Sequence, residues 1–74
     1  MSKFSEQVNK FISCEVSVHG KVSFFAKLDD GSWVAVLGNG SLDNIEMTSD
    51  DFCSMLESLE SIGANIRFTN HSAI

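Results

Sequence analysis

Apolar residues recur along this chain with two different periods, and each change of period marks a change of element. Phe4, Val8, Phe11 and Ile12 fall at i, i+4, i+7 and i+8, one stripe of a short amphipathic helix over about residues 3 to 12. Glu6, Gln7, Asn9 and Lys10 take its other side. From Cys14 the period becomes two: Cys14, Val16 and Val18 alternate with Glu15, Ser17 and His19, as in a half-buried strand. Gly20 marks a turn. A second strand is expected from Val22 to Leu28, a third from Ser32 to Leu37 and a fourth from Leu42 to Met47. Between them lie Asp29-Asp30-Gly31, which suits a three-residue loop closed by a left-handed glycine, and Asn39-Gly40, the pair favoured in type I′ hairpin turns.

These turns imply a register, and a slip of one residue would move every side chain to the other face. With Asp29-Asp30-Gly31 as loop, Ala26 faces Val34 and Phe24 faces Val36. With Asn39-Gly40 as loop, Val34 faces Ile45 and Ser32 faces Met47; with His19-Gly20-Lys21 as loop, Val18 faces Val22 and Val16 faces Phe24. The expected core face is therefore Val16, Val18, Val22, Phe24, Ala26, Val34, Val36, Ile45 and Met47. Thr48 or Ser49 then caps a second helix with Asp50 and Asp51 in its first turn, a buried stripe of Phe52, Met55, Leu56, Leu59 and Ile62, and Gly63 at its end. Ile66-Arg67-Phe68-Thr69 reads as a short last strand before a polar tail, Asn70-His71-Ser72. The expectation is one α+β domain over residues 1–74: a short N-terminal helix, a four-stranded antiparallel meander, an amphipathic helix and a C-terminal strand.

Composition limits what this domain does. A chain of 74 residues has room for one small core. Two cysteines, Cys14 and Cys53, sit at apolar positions and are expected as reduced thiols, not as a disulfide scaffold. With no apolar run of membrane-spanning length and no apolar core near Met1, the chain reads as soluble and cytosolic, in a bacterial or host cell, with no membrane partner. His19, His71, Cys14 and Cys53 lack the short paired spacing of a zinc site, and Gly38-Asn39-Gly40-Ser41 precedes a strand, not the helix of a phosphate-binding loop. No metal, cofactor or catalytic constellation is assigned, and an enzyme is the weakest reading.

Charge changes the picture more. Residues 1 to 27 sum to +2, residues 28 to 66 to −8, and the last eight to +1. Between Lys27 and Arg67 stand Asp29, Asp30, Asp43, Glu46, Asp50, Asp51, Glu57 and Glu60, with no lysine or arginine among them. On the second helix no lysine lies at i+4 to neutralise its acids. These eight carboxylates are the first candidate site. They point to a small non-enzymatic protein that engages a basic protein or nucleic-acid-binding complex, in the manner of a phage or mobile-element inhibitor such as an anti-CRISPR protein or nucleic-acid mimic.

A second candidate surface follows from the register, which places Phe25, Lys27, Trp33, Ala35 and Leu37 on the far side of the sheet, with Lys27 across from Trp33. Either the N-terminal helix covers that side, or Phe25, Lys27, Trp33 and Leu37 form a binding or homodimer surface. A meander running through Asn44-Ile45-Glu46-Met47-Thr48-Ser49-Asp50-Asp51-Phe52 into a helix is similar in element order to single-stranded DNA-binding proteins of the transcriptional-coactivator type, over roughly residues 15 to 62. That resemblance implies bases stacked on Phe25 and Trp33 beside Lys21 and Lys27. Five cations in the whole chain work against direct nucleic-acid binding.

Overall fold

The computed structural model describes residues 2–71, and Ser72 of the expected polar tail lies outside them. The elements are α1 (Ser5–Lys10), β1 (Ser13–Val18), β2 (Lys21–Lys27), β3 (Trp33–Val36), α2 (Ser49–Ser61) and β4 (Asn65–Thr69). The strands form one antiparallel sheet in the order β3-β2-β1-β4, so the C-terminal strand returns beside β1. The α+β class stands.

Local chemistry sets the helix ends. Thr48 is the N-cap of α2, its Oγ1 accepting from the Asp51 N–H at 3.1 Å. At the other end Gly63 N–H donates to Glu60 O and Ala64 N–H to Leu59 O, the paired bonds of a Schellman motif. The helix α1 is shorter than the periodicity suggests. It stops at Lys10, and Ile12, on the expected stripe, is exposed.

The β2–β3 register is the expected one, with Ala26 opposite Val34 and Phe24 opposite Val36. The β1–β2 register is not. Val18 pairs with Lys21, which leaves His19-Gly20 as a two-residue turn with φ of 49° and 81°. Both central residues of a type I′ turn need positive φ, which glycine takes freely and histidine more readily than most residues. The slip of one residue turns β2 and β3 over relative to β1. Phe25 and Trp33, expected on the far side, share the core face with Cys14 and Val16, while Val22 and Phe24 stand 46% exposed.

Residues 42–47 differ as well. In place of a fourth meander strand this segment makes isolated bridges, Val36 with Leu42 and Trp33 with Met47. Three steps along β3 are matched by five along the segment, so it bulges, and Ile45 is exposed instead of facing Val34. The preceding hairpin turns through Gly38-Asn39-Gly40, with Leu37 N–H donating to Ser41 O, and the left-handed residue is Gly40.

Both helices cover one face of the sheet. Trp33 is fully buried and stacks on Phe52 (centroids 4.5 Å apart, planes at 12°), and Phe25 packs on the same ring at 5.3 Å. Phe68 meets Trp33 edge-on at 6.3 Å and joins Phe4 and Phe11 to the cluster at 6.4 and 5.9 Å. Aromatic rings remove the most apolar area per residue from water, which explains why the Phe25–Trp33 side is the buried one. Adjacent residues should therefore respond oppositely. Phe25→Asp places an unpaired charge in the core and is expected to leave the chain unfolded, whereas Phe24→Asp is expected to cost about 1 kcal/mol or less in urea denaturation.

Candidate partner-binding surface

The eight carboxylates do not form one patch. Asp29 and Asp30 occupy the exposed β2–β3 turn, and Ser49 Oγ donates to Gly31 O at 3.4 Å, tying this turn to the start of α2. Asp50 and Asp51 project from the first turn of α2, where the helix dipole favours negative charge. Glu46 lies one residue before Met47, whose backbone is bonded to Trp33 in both directions. The turn, the end of the 42–47 segment and the N-terminus of α2 thus bring Asp29, Asp30, Glu46, Asp50 and Asp51 to one end of the molecule. The Ser32 backbone N–H, at 2.9 Å from Asp30 Oδ1, holds the Asp30 carboxyl below its ordinary value, so it is charged at neutral pH.

The other three are placed differently. Asp43 is half-buried in the bulge, where its Oδ1 accepts from Asn44 N–H at 2.7 Å. Glu57 stands exposed midway along α2, lining a polar groove with Ser2, Ser5, Asp50, Cys53 and Ser54. Glu60 is paired: Lys3 Nζ approaches its Oε1 at 2.7 Å, the ion pair found among the described residues. Both side chains are well exposed, so the pair adds little stability, but it removes Glu60 from the uncompensated set. The helix has no internal lysine partner, and a lysine from the N-terminal segment supplies one from outside.

The second candidate surface is corrected. Phe25 and Trp33 lie beneath α2 and offer nothing for a base to stack on, and of the four residues only Leu37 is exposed. Lys27 does lie over the Trp33 ring, 5.5 Å from its centroid, while its Nζ donates to Asn9 O at 3.0 Å. Desolvation lowers its pKa.

No family model, curated protein or solved structure matches this chain. Cys14 and Cys53 are free thiols in the core. Burial, reinforced by the negative charge of Glu15, pushes the Cys14 thiol up to about 12 from 9.0, so it stays protonated and unreactive near neutrality. A thiol with a raised folded-state pKa contributes its full stability below the unfolded value of 9.0 and loses it as pH rises toward about 12. The urea midpoint is therefore expected to fall across that interval, with a shallower fall in Cys14→Val.

Sequence reasoning missed the helix-free face of the sheet, where Val22, Phe24 and Val36 are presented outward. The signal was the His19-Gly20 pair, since glycine suits the second position of a two-residue turn better than the middle of a longer loop.

Among the described residues no helix is long and apolar enough to cross a membrane.

Proposed function

We propose that this chain is a small non-enzymatic protein-binding module whose acidic end occupies the basic, nucleic-acid-binding surface of a partner protein, in the manner of a phage or mobile-element inhibitor. One observation carries this reading. Asp50 and Asp51 in the first turn of α2 and Glu57 further along the same helix are exposed, the Ser49–Gly31 contact sets that first turn beside Asp29 and Asp30, and two lysines are engaged elsewhere, Lys3 by Glu60 and Lys27 by Asn9 O and Trp33. Such a surface attracts an arginine- or lysine-rich groove and repels bare phosphate.

The inert core thiol is consistent with a binding role. Burial of Phe25 and Trp33 removes the stacking platform on which direct single-strand binding would rest. The test is affinity capture from the cells that produce the protein, with the wild-type chain and the Asp50→Asn, Asp51→Asn, Glu57→Gln variant as baits. A nucleic-acid-binding protein retained by the wild type at low salt, and lost with the variant, supports the reading. Equal capture by both baits refutes it.

A further inference from the structure

We propose that Asn39 is a site of spontaneous deamidation, at which the Gly40 backbone nitrogen attacks the Asn39 side-chain amide and converts it to an acid through a cyclic imide. Two turns of the chain carry the argument. Leu28-Asp29-Asp30-Gly31-Ser32 and Leu37-Gly38-Asn39-Gly40-Ser41 share one pattern, a leucine, a free position, Asp or Asn, then Gly-Ser. They fold alike. Leu28 N–H donates to Ser32 O and Leu37 N–H to Ser41 O, Gly31 N–H donates to Leu28 O and Gly40 N–H to Leu37 O, and the two glycines have φ of 90° and 86°. In each turn the side chain before the glycine accepts from a serine backbone N–H, Asp30 Oδ1 from Ser32 at 2.9 Å and Asn39 Oδ1 from Ser41 at 3.0 Å.

Chemistry separates the two turns. Attack on a side-chain carbonyl needs an electrophilic carbon and an unhindered nitrogen. The Ser32 N–H holds Asp30 as a carboxylate, whose negative charge repels a nucleophile, so the first turn is closed to this reaction. Asn39 is a neutral amide, and Gly40 sets no side chain beside the attacking nitrogen. Ser41 also supplies a second donor, its Oγ at 2.6 Å from Asn39 Oδ1. Both serine donors therefore meet the oxygen on which negative charge develops as the nitrogen attacks. Asn9, Asn44, Asn65 and Asn70 are followed by Lys10, Ile45, Ile66 and His71, whose side chains crowd the corresponding nitrogen. Residues 37–41 are all exposed, so water reaches the turn and the Gly40 N–H bond to Leu37 O opens at little cost.

Water is the one co-reactant. Gly40 N loses its proton to solvent and bonds to Asn39 Cγ, and the Cγ–Oδ1 π pair moves onto oxygen. Its return breaks the bond to Nδ2, which takes a proton from water and leaves as ammonia. Water then opens the imide. Cleavage of the new bond to Cγ gives aspartate with the backbone unchanged, and cleavage of the original Asn39–Gly40 peptide bond gives isoaspartate, with the backbone routed through Cγ. Either product adds one negative charge to the formal −5. That charge stands at the opposite end of β3 from Asp29 and Asp30, apart from the surface proposed to bind a partner. The Asp30 turn shows that aspartate fits this frame, whereas isoaspartate lengthens the backbone by one methylene and disrupts the turn bonds.

The test is incubation of the folded full chain in ammonia-free buffer at mildly alkaline pH and 37 °C, followed by released ammonia, peptide mass mapping and fragmentation that distinguishes isoaspartate from aspartate. Ammonia is expected to appear in step with the amide-to-acid mass change, with the conversion mapped to Asn39. Gly40→Ala is expected to slow it about tenfold or more. Ser41→Ala is expected to slow it about threefold in the folded chain, less than the roughly hundredfold of a donor shielded from water, and to match the wild type once both are unfolded in guanidinium. Asn39→Gln is expected to release no ammonia over the same period. Absence of ammonia, conversion confined to Asn9, Asn44, Asn65 or Asn70, or equal rates for folded wild type and Ser41→Ala overturns the proposal. The wild-type map does not depend on the folding of any variant.

Discussion

Trp33→Ala is expected to remove at least about a quarter of the stability of the fold and to leave it marginal at 37 °C. Trp33 stacks on Phe52, touches the edge of Phe68 and lies beneath Lys27, so its loss removes contacts to α2, β4 and β2 together. Truncation of a fully buried tryptophan costs about 3 to 5 kcal/mol. A chain of this length is worth only about 4 to 11 kcal/mol in total, at the usual stability per residue. The conservative change separates packing from polarity. Trp33 Nε1 is buried with no hydrogen-bond partner among the described residues, a state that costs the fold about 1 to 3 kcal/mol. Trp33→Phe deletes that orphan donor as it leaves a smaller cavity, so the two effects oppose each other, and its urea midpoint is expected close to that of the wild type. Loss of the cooperative transition in Trp33→Phe would show that the indole nitrogen has a role that ring packing does not explain.

Neutralising the exposed carboxylates of α2 should have the opposite profile, with the fold kept and binding lost. In Asp50→Asn, Asp51→Asn, Glu57→Gln all three side chains are exposed, and the cap itself, Thr48 Oγ1 to Asp51 N–H, does not involve the Asp51 carboxylate. The first-turn charges contribute about 0.3 to 1 kcal/mol each through the helix dipole, and removal of three like charges from a chain at −5 offsets part of that. Affinity for a basic partner is expected to fall on the order of a hundredfold, about 3 kcal/mol. Glu60→Gln alone is expected to change it little, since Lys3 already compensates that carboxylate.

What was legible in the sequence was local. Asp29-Asp30-Gly31, Thr48 and Gly63 carry their turn and cap chemistry within a few residues, and each occupies the place that chemistry implies. The choice of sheet face was not local. β1 alternates cleanly and identifies Cys14 and Val16 as buried, but β2 and β3 are apolar on both sides, with Val22, Phe24 and Val36 on one and Phe25, Trp33 and Ala35 on the other. Their orientation is transmitted from β1 through the His19-Gly20 turn alone, and one residue of turn length inverts it. Residues 42–47 failed as a strand for a different reason: Asp43 and Asn44 are poor strand formers, and Asp43 Oδ1 takes the neighbouring Asn44 N–H. The acidic candidates were visible as composition. Their gathering at one end, and the removal of Glu60 by Lys3, depend on contacts distant in sequence.

The exposed carboxylates of α2 and of the neighbouring β2–β3 turn form the surface proposed to recognise a partner. Binding of the captured partner to the wild-type chain, measured by calorimetry as NaCl is raised at constant pH, tests it most directly. The predicted result is an affinity that falls steeply with salt, a slope that flattens in the Asp50→Asn, Asp51→Asn, Glu57→Gln variant, and displacement of nucleic acid from the partner by the wild type. An affinity indifferent to both salt and the three substitutions would contradict it.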